Sequence, residues 1–345
     1  MNKISIIFML WSFVAMLFFS DQIDAKVVKA PSVSNSIENL KKKGEFYFQN
    51  KLYENAVPIY QEIIERKPDF YAVRYSFGVA LEALERYAEA IEQLNRIPKE
   101  SHLYFDALSV KGLALNGSGE NEAALDIFEF LTTSVPTSGS YWCNKSKVLI
   151  DMGLYDKAIE ATQTGLQIDG DNVFLMNNLG IAQFRAGHYE KALQTSKKAF
   201  ELAPRNFDAV DNLASALAQL GRYREALKFY DRAAKLDSTS FSILYERGYA
   251  LEMCEQIDQA AECYRKATKI EPTNPGVWCR LVYILEQNGD FQDAFVTVEK
   301  ALALHPEEFF LWYARGRIAS LYFCKIEKSH RSSEKNLKIG VKEVV

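Results

Sequence analysis

The chain has 345 residues, of which 48% are hydrophobic and 25% charged, and its formal net charge is −4. This composition can bury a core and excludes a disordered polymer. No concentrated basic block lies in the central chain, so there is no electrostatic footprint for nucleic acid.

In chain order, Met1-Asn2-Lys3 precede an apolar run from Ile4 to Phe19 that only Ser5 and Ser12 interrupt. A polar stretch follows and ends on Ala25. A positive start, apolar middle and small-residue end predict a secretory signal peptide over residues 1–25 and a short linker over 26–36. The expected location is therefore periplasmic or secreted. The run is short for a bilayer span, which favours cleavage after Ala25 over the alternative, an uncleaved membrane anchor.

From Ile37 the chain repeats every 34 residues up to Glu308, giving units 37–70, 71–104, 105–138, 139–172, 173–206, 207–240, 241–274 and 275–308. Position twenty is always alanine: Ala56, Ala90, Ala124, Ala158, Ala192, Ala226, Ala260 and Ala294. Position eight is small in every unit except the last, which has Val282. Within a unit, apolar residues at helical spacing form two stripes, as in Met176, Leu179 and Gly180 followed by Ala192. Position fifteen carries Gly119, Gly153, Gly187, Gly221 and Gly289, suited to a left-handed helix stop. Proline recurs at position thirty-two, for example Pro68, Pro136 and Pro272, and closes the second helix. Each unit thus predicts a helical hairpin that needs neighbours to bury its faces, an all-α solenoid. Pro98 should end the second unit's hairpin early, and Thr162 with Gly165 should loosen the fourth. A ninth first helix is expected over 309–323, followed by a basic tail over 324–345.

These residues resemble the tetratricopeptide repeat family. Its pattern appears as Leu40, Gly44, Tyr47, Ala56, Tyr60 and Pro68, and again as Trp278, Leu281, Ala294 and Pro306. The resemblance covers 37–308 and implies a right-handed superhelix whose concave groove, lined by first helices, holds a peptide or a partner helix. The family's carboxylate clamp for chaperone C-termini is missing. Where Asn212 fits its middle position, the next unit offers Ser242 and Glu246 instead of basic residues.

Chemistry-bearing motifs are not visible. There is no Gly-rich phosphate loop, nucleophile elbow or His-Glu-x-x-His, and none of the five cysteines forms a Cys-x-x-Cys. The expectation is a non-enzymatic chain with no cofactor and no metal. Function is sought on the groove face. Asn144, Asn178 and Asn212 recur there at position six, and a side-chain amide matches the donor and acceptor of a peptide unit. Phe174 and Phe184 flank this ladder as side-chain pockets, and Tyr245, Tyr249, Tyr283 and Tyr313 extend the face towards the C-terminus. The resulting expectation is a protein-binding adaptor in envelope, pilus or secretion assembly. The alternative is a membrane-anchored scaffold that recruits an enzyme or complex. The aromatic end from Phe309 to Tyr313, with Leu321, Tyr322 and Phe323, predicts self-association when the tail is removed.

Overall fold

The structure, a computed structural model, describes residues 36–322. The expected signal peptide and basic tail lie outside these residues. All regular structure among the described residues is helical, and the chain divides into two compact units within a helix at Ile127/Phe128.

The first unit comprises α1 (Ile37–Gln49), α2 (Tyr53–Arg66), α3 (Tyr71–Ala83), α4 (Tyr87–Asn95), α5 (Tyr104–Gly117) and the start of α6 (Asn121–Ser134). Leu40, Ala56, Tyr60, Ile63, Phe77 and Leu81 form its core. Glycine at position eight allows the close approach. A Cβ on Gly44 would lie 2.6 Å from the Tyr60 ring, and one on Gly78 would lie 2.7 Å from Leu94. As Pro98 predicts, α4 is short, and an irregular turn precedes α5.

The second unit continues with α7 (Gly139–Asp151), α8 (Tyr155–Ile168), α9 (Val173–Arg185), α10 (Tyr189–Leu202), α11 (Phe207–Gln219) and α12 (Tyr223–Leu236). It ends with α13 (Phe241–Met253), α14 (Ile257–Ile270), α15 (Pro275–Gln287), α16 (Phe291–Leu304) and α17 (309–322). One hydrophobic core runs from Val210 to Ile318, anchored by the fully buried Tyr230, Tyr264, Ile284 and Leu285. Burying each such side chain contributes on the order of 1.5–3 kcal/mol.

Both units use the same two backbone devices. Every alanine at position twenty is almost completely buried, so a larger side chain there would force the paired helices apart. Position fifteen has positive φ in all eight repeats. Glycine holds it five times, and Lys51, Glu85 and Glu255 adopt φ of 58°, 59° and 61°. The following amide then closes back on the helix, as Leu154 N–H does on the Leu149 carbonyl at 2.8 Å.

The fourth repeat is not loose, contrary to expectation. A Cβ on Gly165 would lie 2.7 Å from Leu175 of the next repeat, so glycine there marks tight packing. Thr162 is fully buried, and its hydroxyl donates to the Ala158 carbonyl at 2.9 Å, which satisfies it within its own helix. At position four, Trp142, Trp278 and Trp312 donate from Nε1 to the carbonyls of Pro136, Pro272 and Pro306 at 2.7–2.9 Å. Arg74 does the same to Pro68 at 2.8 Å. Each first helix carrying one of these side chains is thereby tied to the close of the preceding hairpin.

Candidate functional site

In the second unit the first helices α7, α9, α11 and α13 present a row of side chains around two adjoining clefts. The larger, about 730 Å3, is lined by Cys143, Asn144, Lys147, Phe174, Asn178, Ile181, Arg185 and Asp208, among others. The smaller, about 390 Å3, is lined by Ile181, Phe184, Arg185, Asp211, Asn212, Ser215, Tyr230 and Glu246, among others. Ile181 and Arg185 belong to both, so the clefts form a continuous trough along α9. The structure therefore brings together Asn144, Asn178 and Phe174 in one cleft and Asn212 and Phe184 in the next. Phe174 is 65% exposed and forms an open apolar wall, whereas Phe184 packs edge-on against Tyr189 at 5.4 Å.

The asparagines do not act alike, which corrects the reading of one ladder of amides that all face a peptide. Asn178 Nδ2 donates to the Cys143 carbonyl at 3.0 Å and to Ser146 Oγ at 2.9 Å. Both amide protons are thus committed to the preceding repeat. At Asn212 the equivalent partner is Gly180, which has no hydroxyl, and Asn212 Nδ2 is buried without a hydrogen-bond partner.

The tyrosines also divide. Tyr245 is half-buried, stacked on Phe241 at 6.0 Å and tilted against Tyr264 at 5.8 Å. Tyr249 meets Tyr223 edge-on at 6.0 Å, with Arg280 of the next repeat 5.2 Å above its ring. The expected exposed tyrosine face is therefore internal packing at these two positions, because long side chains of neighbouring helices fold over it. Tyr283 and Tyr313 remain exposed, and none of the four tyrosines lines either cleft. Helix α17 buries Leu311, Ala314 and Ile318 and exposes Phe309, Trp312 and Tyr313, with Phe309 80% exposed.

Electrostatics distinguish the smaller cleft. Burial pushes the Asp211 carboxyl up from its ordinary 3.8 to about 6, and Glu246 and Asp208 add to the rise. Ser215 stands near and opposes the rise, yet Asp211 Oδ1 has no hydrogen-bond partner. Glu246 is raised by burial as well, with Arg280 acting against it. The Tyr230 hydroxyl, on a fully buried side chain, is raised by burial; Ser215 acts against the rise, although the oxygen makes no hydrogen bond of normal geometry. In the larger cleft, burial pushes the Cys143 thiol up to about 11, so it is a neutral wall, not a nucleophile. The four described cysteines are unpaired. No cluster of metal-binding side chains occurs among the described residues. No helix among them is long and apolar enough to cross a membrane.

Sequence reasoning weighed Glu246 only against the basic residues of the carboxylate clamp. Arg185 and Tyr230 went unrecognised as cleft residues. Their signal was the pairing of position eight with position twenty-four. Gly180 faces Ser196 in the fifth repeat, whereas Gly44 and Gly248 face Tyr60 and Tyr264. Two small residues in register mark the place where the fold leaves room.

Family models described as tetratricopeptide repeat match residues 47–110, 139–172, 177–241 and 241–284. Among curated proteins, human Protein O-mannosyl-transferase TMTC1 is 23% identical over 163 residues, 46% of this chain. The match spans only 18% of that protein's length. Among solved structures, the APC/C hetero-tetramer Cut9-Hcn1 matches with a TM-score of 0.61 at 15% identity, over 82% of this chain and 57% of that one. A tetratricopeptide repeat protein from Parabacteroides merdae matches with a TM-score of 0.55 at 16% identity, over 69% of this chain and 94% of that one. These structural likenesses concern the fold.

Proposed function

This chain belongs to the tetratricopeptide repeat family and is a protein–protein interaction scaffold, and from that premise we propose that it is a non-catalytic adaptor whose trough along α9 holds an extended segment of a partner protein. The observation that carries this reading is the pair of adjoining clefts, in which polar side chains alternate with apolar walls over first-helix surface. A peptide rising ~3.3 Å per residue past helices ~10 Å apart meets a new first helix about every third residue. The resulting footprint is about seven to nine residues. The expected setting is export, with a role in envelope, pilus or secretion assembly. A protein retained at the membrane by residues 1–25 and recruiting its partner there is the alternative. Sequencing the N-terminus of the purified protein separates the two: Lys26 supports export, and Met1 supports the anchored form.

A photo-crosslinking residue at Ile181, which lines both clefts, tests the groove in the native host. Phe130, exposed on the second-helix side of its repeat, is the control position. A discrete adduct at 181 and none at 130 is expected. Equal labelling at both positions, or none at 181, defeats the reading.

A further inference from the structure

The smaller cleft carries more polar surface than the fold can satisfy. Asp211 Oδ1, Asn212 Nδ2 and the Tyr230 hydroxyl are all buried without a hydrogen-bond partner, and all three residues line this one space. Unsatisfied buried groups are rare, and each costs free energy that other side chains normally remove. Here the Ser215 hydroxyl acts on both Asp211 and Tyr230, but one hydroxyl does not satisfy three groups. Asp211 of α11 and Glu246 of α13 repel one another across the cleft, with Asp208 of α11 adding to the same negative field. Arg185 of α9 also lines the cleft. Arg280 of α15 acts on Glu246 but is held elsewhere, 3.3 Å from Glu252 and over the ring of Tyr249. The space itself follows from Gly180 and Ser196, two small residues facing each other beneath it.

The chemistry that completes this site is a cation with hydrogen-bond donors and a narrow stem, together with an acceptor for the Asn212 amide. A bare metal ion does not fit, because no three metal-binding side chains gather among the described residues. We propose that this cleft is the specificity pocket for a lysine or arginine side chain of an extended partner segment. The cation sits between Asp211 and Glu246, with the Tyr230 hydroxyl as a further acceptor, and the segment's backbone carbonyl accepts from Asn212 Nδ2. The proposal rests on the groove reading above and adds to it the residue class that the groove selects.

The full chain is panned at pH 7.5 against a phage-displayed library of random dodecapeptides, and recovered sequences are measured as fluorescein-labelled probes. Enrichment of Lys or Arg at one position is expected. Replacing that residue with glutamine should weaken binding at least tenfold, and the Asp211→Asn/Glu246→Gln variant should no longer show that difference. Recovered peptides without an enriched basic residue, or a glutamine penalty that persists in the variant, overturn the proposal. If Ile181→Trp still abolishes binding of those peptides, the groove reading survives. A failure to recover any binder, or binders indifferent to Ile181→Trp, overturns both. Thermal melting of each variant confirms that the comparison is made between folded proteins.

Discussion

The junction between the fourth and fifth repeats and that between the fifth and sixth begin from the same residue at the same register. At the first, Asn178 spends its amide protons on Cys143 and Ser146 and joins two first helices. At the second, Asn212 faces Gly180, which offers no hydroxyl, and its Nδ2 stays without a partner in a cleft that also holds the Asp211 carboxyl. Loss of the hydroxyl at position eight, and of the carbonyl contact that accompanies it, separates a structural asparagine from one available to a ligand. Register alone therefore does not assign a role in a repeat array. The neighbour 32 residues earlier does.

The strongest way to break this comparison is Asp211→Asn. Its carboxyl titrates near 6 in the folded chain against an ordinary 3.8, so the folded state resists the charged form. Well below 3.8 the carboxyl is protonated in both states and contributes nothing; the penalty grows between 3.8 and 6 and applies in full above that. At ~1.4 kcal/mol per unit, Asp211→Asn is expected to raise stability by about 2–3 kcal/mol at pH 7 and to leave it nearly unchanged near pH 3.5. Urea denaturation at the two pH values checks this. A destabilised variant at pH 7 would mean that the carboxylate is satisfied after all.

Asn178→Ala is expected to lower stability by about 1–2 kcal/mol through its two lost hydrogen bonds, while Asn212→Ala stays within about 0.5 kcal/mol of the parent. A double-mutant cycle of Asn178→Ala with Ser146→Ala sharpens this, with an expected coupling of ~0.5–1.5 kcal/mol. Equal effects at 178 and 212 would erase the distinction.

Binding reports on the same contrast. Affinity for a lysine-bearing probe should rise about tenfold from pH 5 to pH 7, as Asp211 passes through its titration near 6 and the cleft becomes fully negative. The Asp211→Asn variant should show a shallower profile, with Glu246, also raised by burial, as the remaining titrating carboxyl.

A smaller effect provides a control away from both junctions. Glu255 holds a left-handed turn that glycine holds in five repeats. Glu255→Gly should stabilise by about 0.5–1 kcal/mol without changing either the pH profile or probe binding. Loss of stability there would show that the Glu255 side chain makes a compensating contact.

Much was determined by the sequence alone, and for a physical reason. The 34-residue spacing, alanine at position twenty, small residues at position eight and glycine at position fifteen are local steric requirements of a helical hairpin, and each is readable in one strand of text. Pro98 shortened α4 for the same reason: a missing amide acts within its own turn. What the tertiary structure decided depended on the neighbouring repeat. Gly165 looked like slack until Leu175 was found pressed against it, and Tyr245 and Tyr249 looked exposed until Phe241 and Arg280 were found against them. Asn178 and Asn212 are identical in sequence register. Only the residue that each one meets across the helix interface, Ser146 or Gly180, settles whether the amide is used within the fold or left in a cleft with a raised carboxyl.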